Sequence, residues 1–138
     1  EEPSFPQVVH EVLSPPAKAK FFTYGDRKCI HVVEPDLRRC SREEAVAELA
    51  AAYRASFDEF LASGLPGLRL LPLSNGACAG GFSEGMPALI AAALEKAFGQ
   101  LPPLMRRGLR VRTLELCIGS EMDFAIYADF LQARLADV

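Results

Sequence analysis

The sequence predicts an α/β domain of three layers, in which helices cover both faces of a mixed, largely parallel sheet. The main observation is the order of the elements, since short apolar runs alternate with helical patterns from residue 27 onward. Strands separated by helices pair mainly in parallel, because each helix returns the chain to the same end of the sheet. Composition agrees, because 50% of the 138 residues are hydrophobic and 24% are charged, as in globular proteins.

Four apolar runs are typical of strands, at residues 18–24, 29–33, 68–73 and 109–118. The second run, Cys-Ile-His-Val-Val, is continuous, which favours a strand covered on both faces. His31 lies within it, and we expect this histidine to pack in the core.

The clearest helix begins after Ser41, which forms a capping box with Glu44, and ends at Gly64, a residue suited to a left-handed stop. Its apolar residues recur at three- and four-residue steps and form one stripe. The stripe comprises Ala45, Val46, Leu49, Ala52, Tyr53, Phe57, Phe60 and Leu61. Two more helices are expected over residues 83–98 and 120–135, the last with Ser120 as its N-cap.

The opening segment, residues 1–17, is interpreted as a proline-rich arm that precedes a single α/β domain at residues 18–138. Its four prolines interrupt regular structure. The short apolar stretch at residues 8–13 predicts an arm or a short helix that lies on the domain.

Composition argues against several classes of function. A net charge of −3 and a pI of 5.4 make a nucleic-acid partner unexpected. We expect no membrane span, because charges and turn residues interrupt the apolar runs before the roughly 18 residues that a span needs. The two histidines lack metal-ligand spacing to a cysteine pair, so no metal and no cofactor are expected.

The cysteines predict an intracellular protein, cytoplasmic or nuclear. None of the four belongs to a C-x-x-C pair, and a chain with this much apolar core does not need disulfides. We therefore expect free thiols in a reducing compartment. The residues are Cys29, Cys40, Cys78 and Cys117.

The loop at residues 74–81 is the candidate binding site. Three glycines and two alanines leave its backbone accessible, and the helix that follows adds a partial positive charge at its N-terminus. The loop lacks the Gly-Lys-Ser/Thr ending of a P-loop and the G-x-G-x-x-G fingerprint. Two interpretations stay open, a cradle for a phosphate or diphosphate and a tightly packed turn without a ligand.

A series of motifs in chain order resembles that of macro domains, the ADP-ribose-binding modules. It consists of KCIHVVEP at residues 28–35, YRASF at 53–57, LPLSNG at 71–76 and LELCI at 114–118. The last strand is followed by Phe124 and Tyr127. The resemblance covers about residues 18–131, and it implies the three-layer fold stated above.

The resemblance also implies that the loop holds the diphosphate and distal ribose of ADP-ribose or a related nucleotide. Cys78 stands where the family usually has an aromatic residue, and Phe82 would replace that residue only if the loop were rebuilt. Phe124 is a candidate cover for a purine ring. The implied ligand-binding residues are Ser74, Asn75, Gly76, Ala77, Cys78, Ala79, Gly80, Gly81, Phe82, Ser120 and Phe124.

The chain departs from the family upstream, where it has no Asn-Ala-Ala-Asn stretch and no run of glycines before Gly64. No catalytic residue is therefore assigned, and recognition without turnover is expected. An alternative is a degenerate macro fold that acts as a protein-interaction or oligomerisation module, in a homodimer or with another protein, because lost strands leave a sheet edge to cover. A third hypothesis, an ADP-ribosyl hydrolase, requires catalytic residues that the sequence does not show.

Overall fold

The computed structural model describes residues 19–118 and 121–135 of the chain. The predicted arm at residues 1–17 and the predicted cap Ser120 lie outside the described residues. The strands are β1 (Ala19–Tyr24), β2 (Arg27–Val32), β3 (Gly67–Leu70) and β4 (Thr113–Leu116). The helices are α1 (Arg42–Ser63), α2 (Met86–Gln100), α3 (Pro103–Arg110) and α4 (Glu121–Leu135), with a 3-10 helix at Ala77–Gly85.

The strands form two pairs. β1 and β2 are antiparallel, with Ala19 opposite Val32, because the turn between them is only two residues long and contains Gly25 at φ 62°. β3 and β4 are parallel, with Gly67 opposite Thr113. In the described part of the chain no ladder joins β2 to β3. The α/β class is confirmed, and within the described residues one pair is antiparallel and the other, β3 with β4, is parallel.

The helices pack on one face of β3 and β4. Leu68 and Leu70 of β3 join the hydrophobic core, as do the matching leucines of β4. Arg69 and Glu115 lie between these leucines and form an exposed ion pair of 3.2 Å on the opposite face. The leucine face of β3 and β4 is therefore the face that the helices cover.

Helix α1 confirms its predicted start and stop. The Glu44 carboxylate accepts from the Ser41 N–H at 2.8 Å, and the Ser41 hydroxyl accepts from the Glu44 N–H at 3.1 Å. Gly64 adopts the left-handed conformation at φ 75°. The predicted stripe is buried at six of its eight positions, and Val46 and Leu61 pack against the core at its margin.

Three predicted elements are wrong in their bounds. The strand predicted at residues 68–73 lies at Gly67–Leu70, with Pro72 just beyond its end. The strand predicted at residues 109–118 begins at Thr113, because Pro103 in a first helical turn favours helix α3 over the preceding residues. The helix predicted from residue 83 begins at Met86, with Pro87 in its first turn. The preceding Ala77–Gly85, predicted mostly as loop, is a 3-10 helix interrupted by Gly80.

The segment Ala77–Gln100 is long and apolar enough to cross a membrane by length and composition alone. Its regular α-helical part, α2, has 15 residues and so rises roughly 22 Å, less than the roughly 30 Å of a hydrocarbon core. Seven residues of α2 are buried in the core of this domain. Its apolar character is accounted for by that packing. The four cysteines are free thiols, as predicted.

Phe57 of α1 stacks on Phe98 of α2, with the ring centroids 5.1 Å apart, and its side chain is fully buried. We predict that Phe57→Ala lowers the free energy of unfolding by about 3–5 kcal/mol, because it leaves a cavity between the two helices. Phe124→Ala is the matched control: Phe124 is 60% exposed, so the loss should stay within about 0.5 kcal/mol. Urea denaturation measures both, and equal losses would contradict the packing described.

Candidate functional site

The loops that follow β2 and β3 meet at the candidate site. The Ser74 N–H donates to Oε1 of Glu34 at 2.7 Å, and the Ser74 hydroxyl donates to the Pro35 carbonyl. The Leu37 N–H donates to the Cys78 carbonyl at 2.8 Å. The two loops therefore form one surface beyond the carboxyl ends of these strands, where α/β sheets bind ligands.

Tyr53 of α1 fixes the backbone that follows β3. Its hydroxyl donates to the Leu71 carbonyl at 2.8 Å and accepts from the Leu73 N–H at 3.0 Å. The side chain is buried, and burial raises the pKa of the Tyr53 hydroxyl well above its usual range. A hydroxyl that stays protonated keeps both hydrogen bonds and so positions Ser74, the next residue along the loop.

The loop backbone presents free amides. The first bonded amide of the 3-10 helix is that of Ala79, which donates to the Gly76 carbonyl at 3.0 Å. The N–H groups of Gly76, Ala77 and Cys78 precede it and donate no hydrogen bond within the described residues. A Cβ added at Gly76 or Gly81 would meet no atom within 4 Å, so this backbone is open to a ligand.

Gly80 packs closely against the loop after β2. It has φ 58°, and a Cβ at this position would lie 2.8 Å from the Cα of Arg38. Arg38 donates two hydrogen bonds of 2.8 Å to Asp36, and this pairing lowers the pKa of the Asp36 carboxyl to about 2. The guanidinium is exposed beside the glycine-rich loop. It is therefore a cation that a bound anion could reach.

The predicted site residues differ in accessibility. Ser74 is buried, with φ 59°, and is held by the loop after β2. Phe82 is half-buried and packs against the hydrophobic core. Phe124, on α4, is mostly exposed. Of the others, Asn75, Gly76, Ala77, Gly80 and Gly81 are exposed, Cys78 is half-buried and Ala79 is buried, whereas Ser120 lies outside the described residues.

Sequence reasoning missed Glu34 and Arg38. Both lie in the loop after β2, and nothing in the local sequence relates them to a loop some forty residues later. His31, expected in the core, is half-buried, and its Nε2 lies 2.7 Å from the Tyr24 hydroxyl. Burial lowers the pKa of the His31 imidazole.

A groove of about 660 Å³ lies apart from the loop, between β2 and β3. It is lined by both strands and by α1, whose Tyr53 and Phe60 contribute to it, and by none of residues 74–81. Among residues 19–118 and 121–135, no three His, Cys, Asp or Glu side chains converge as a metal site.

Comparison with known proteins shows the fold. Two structures of the Oceanobacillus iheyensis macrodomain, one a variant with ADPR and one with ADP, superpose with TM-scores of 0.66 and 0.64. They are 17% and 16% identical to this chain and cover 89% and 90% of it. The resemblance to macro domains is thus confirmed at the level of the fold. The chain spans 62% of the length of each of these macrodomain chains.

A viral protein shares sequence similarity. The polyprotein P1234 of Barmah forest virus is 32% identical over 77 residues, which are 56% of this chain and 3% of the polyprotein. No family model matches the chain.

The close approach at Gly80 leads to a stability prediction. Gly80→Ala should lower the free energy of unfolding by at least about 1–3 kcal/mol, because alanine is strained at positive φ and its Cβ meets the Arg38 backbone. Gly81→Ala, one residue on and facing open space, should change it by less than about 0.5 kcal/mol. Thermal and urea unfolding measure both variants; a tolerated Gly80→Ala would show that the two loops are not packed as described.

Proposed function

We propose that this chain binds ADP-ribose or a related nucleotide diphosphate at residues 74–81 and does not turn it over. The observation that carries the proposal is the set of three free amides, at Gly76, Ala77 and Cys78, where β3 leads into a helical segment. Successive amides directed at one anion replace the hydrogen bonds that its phosphate oxygens make with water.

Arg38 adds a charged donor at the rim of this loop. Its guanidinium is already oriented by Asp36, and its exposed side allows a charge-assisted hydrogen bond to a phosphate oxygen. Amides and a guanidinium bind and orient an anion, but they do not act as nucleophile or general base. These groups therefore support recognition rather than hydrolysis.

The structural neighbours support a nucleotide ligand. The macrodomain of Oceanobacillus iheyensis has been solved with ADPR and with ADP, and it has the same fold as this chain. Because this chain spans 62% of that one, contacts from the remaining part of the macrodomain are not implied here. The free amides and the Arg38 guanidinium predict that binding is made chiefly through the diphosphate.

A second candidate function is a protein-interaction module. The observation that favours it is the groove between β2 and β3, because strand edges without a partner attract another strand. It predicts that the chain associates with a second protein or a second copy and gives no heat with ADP-ribose.

Isothermal calorimetry with ADP-ribose tests the proposed site. Gly76→Glu places a side chain and a negative charge beside the free amides and should weaken binding at least about tenfold. Gly85→Glu is the matched control, because Gly85 also faces open space but lies at the far end of the 3-10 helix. Equal affinity of both variants, or no heat from the unaltered chain at millimolar ADP-ribose, would contradict the proposal.

The Glu34 carboxylate is a second test of the same site. Its Oε1 accepts a hydrogen bond from the Ser74 N–H, close to the free amides, and its negative charge repels a phosphate. Glu34→Gln keeps a side-chain oxygen that can accept from Ser74 and removes the charge, so it should tighten binding by roughly threefold to tenfold at low salt. The gain should shrink as salt is added, and calorimetry at two ionic strengths measures it. Weaker binding by Glu34→Gln would show that the carboxylate assists the ligand.

A further inference from the structure

Helix α3 presents an exposed face that combines apolar and basic side chains. Leu104 and Val111 are 78% and 83% exposed, the highest values for large hydrophobic side chains in the described part of the chain. They lie about two helical turns apart, Val111 being the C-cap, and therefore share one side of α3. Arg107 lies between them on that side, with Arg110 next to it, and both arginines are exposed. These four residues form the exposed face of α3.

The opposite side of α3 fixes the helix on the domain. Leu109 is buried in the core, and a Cβ added at Gly108 would lie 3.2 Å from Cδ2 of Leu61 on α1. The Arg112 guanidinium donates to the carbonyls of Leu65 and Gly108 at 3.1 and 2.8 Å. The exposed face is therefore held in one orientation, and Arg112 belongs to its support.

The surroundings of α3 are basic although the chain is acidic overall. Residues 96–114 contain four arginines and one lysine and no Asp or Glu. Helix α3 packs against β4 and the last turns of α1, where each acid has a partner. The pairs are Glu115 with Arg69, Asp58 with Arg54, and Glu59 with the Phe21 N–H.

The other acids of α1 do not offset the charge of the exposed face. They lie in the first two turns of α1, roughly 20 Å or more from Leu61 along the helix. Charges farther apart than a Debye length, about 8 Å in physiological salt, are largely screened. Arg107 and Arg110 therefore determine the electrostatic potential at this face.

We propose that the exposed face of α3 docks this domain on an anionic phospholipid bilayer, as a peripheral contact that does not span it. Arg107 and Arg110 bind the phosphates of the headgroups, and Leu104 and Val111 enter the boundary between headgroups and acyl chains. A nucleic acid also offers phosphates, but it has no hydrocarbon phase for two aliphatic side chains. The pairing of both residue types on one face therefore favours a bilayer.

This docking leaves the glycine-rich loop accessible. Val111 directly precedes β4, which begins at Thr113 opposite Gly67, the first residue of β3. The loop at residues 74–81 follows the other, carboxyl end of β3. A bilayer at α3 and a ligand at the loop therefore approach opposite ends of the parallel pair, and the proposal does not rest on the nucleotide site.

Vesicle co-sedimentation of the intact chain tests the electrostatic part of the proposal. The chain should sediment with vesicles that contain phosphatidylserine and not with phosphatidylcholine alone, and added salt should release it. Arg107→Gln with Arg110→Gln should weaken partitioning at least about tenfold, because each arginine near an anionic surface contributes about fivefold. The matched control is Arg27→Gln with Arg42→Gln, which removes the same charge at exposed positions elsewhere. Equal partitioning of the two double variants would overturn the proposal.

A tryptophan reporter tests the apolar part. The chain contains no tryptophan, so Leu104→Trp introduces a single one. Its emission should shift to shorter wavelength with phosphatidylserine vesicles and should be quenched by lipids brominated on their acyl chains, whereas heparin should cause neither change. Ile126→Trp, at an exposed position on α4, is the matched control and should show no response. A Leu104→Trp emission that ignores vesicles, or that responds equally to heparin, would assign the face to a soluble polyanion or to none and overturn the proposal.

Discussion

Helix α1 connects two strand pairs that share no hydrogen-bonded ladder in the described part of the chain. Its Glu59 carboxylate accepts from Phe21 on β1, and its Tyr53 hydroxyl bonds to Leu71 and Leu73 after β3. Between these polar contacts, its buried aromatic residues pack against α2 and the strands. The relative position of the two pairs, and of the loops that follow them, therefore depends on the packing of this helix.

The geometry of the candidate site depends on this packing of α1 against the two strand pairs. The loops after β2 and β3 are joined by Ser74 and Glu34, by Leu37 and Cys78, and by the close approach of Gly80 to Arg38. These contacts place the Glu34 carboxylate at Ser74, before the free amides in the chain, and Arg38 at Gly80, after them. The site thus combines two carboxylates, those of Glu34 and Asp36, with the guanidinium of Arg38. We therefore expect the affinity for a diphosphate to depend on salt and on Glu34.

Local signals in the sequence were sufficient for the elements whose causes are local. The capping box of Ser41 and Glu44 and the left-handed stop at Gly64 involve neighbouring residues, and both were predicted correctly. The first part of the apolar run at residues 109–118 was wrongly predicted as a strand. Leu109 is buried, but it belongs to helix α3. An apolar residue indicates burial without indicating which element buries it.

The candidate loop was proposed from its small residues, but its partners in the loop after β2 were not predicted. The hydrogen bonds of Ser74 join residues 40 and 39 positions apart, and no periodicity relates such residues. The motifs that resemble those of macro domains predicted the fold, and the structural neighbours confirm it. They could not show that the groove between β2 and β3 lies apart from the glycine-rich loop, because that depends on strand pairing across the whole chain.

A titration of ¹⁵N-labelled chain with ADP-ribose, followed by amide chemical shifts, tests the central claim most directly. The account predicts that the largest shifts occur at the Gly76, Ala77 and Cys78 amides, with smaller ones at Ser74 and at the Arg38 side chain. Saturating shifts at these amides would locate the diphosphate on the loop. Shifts confined to the groove between β2 and β3, or no shifts at millimolar ligand, would contradict it.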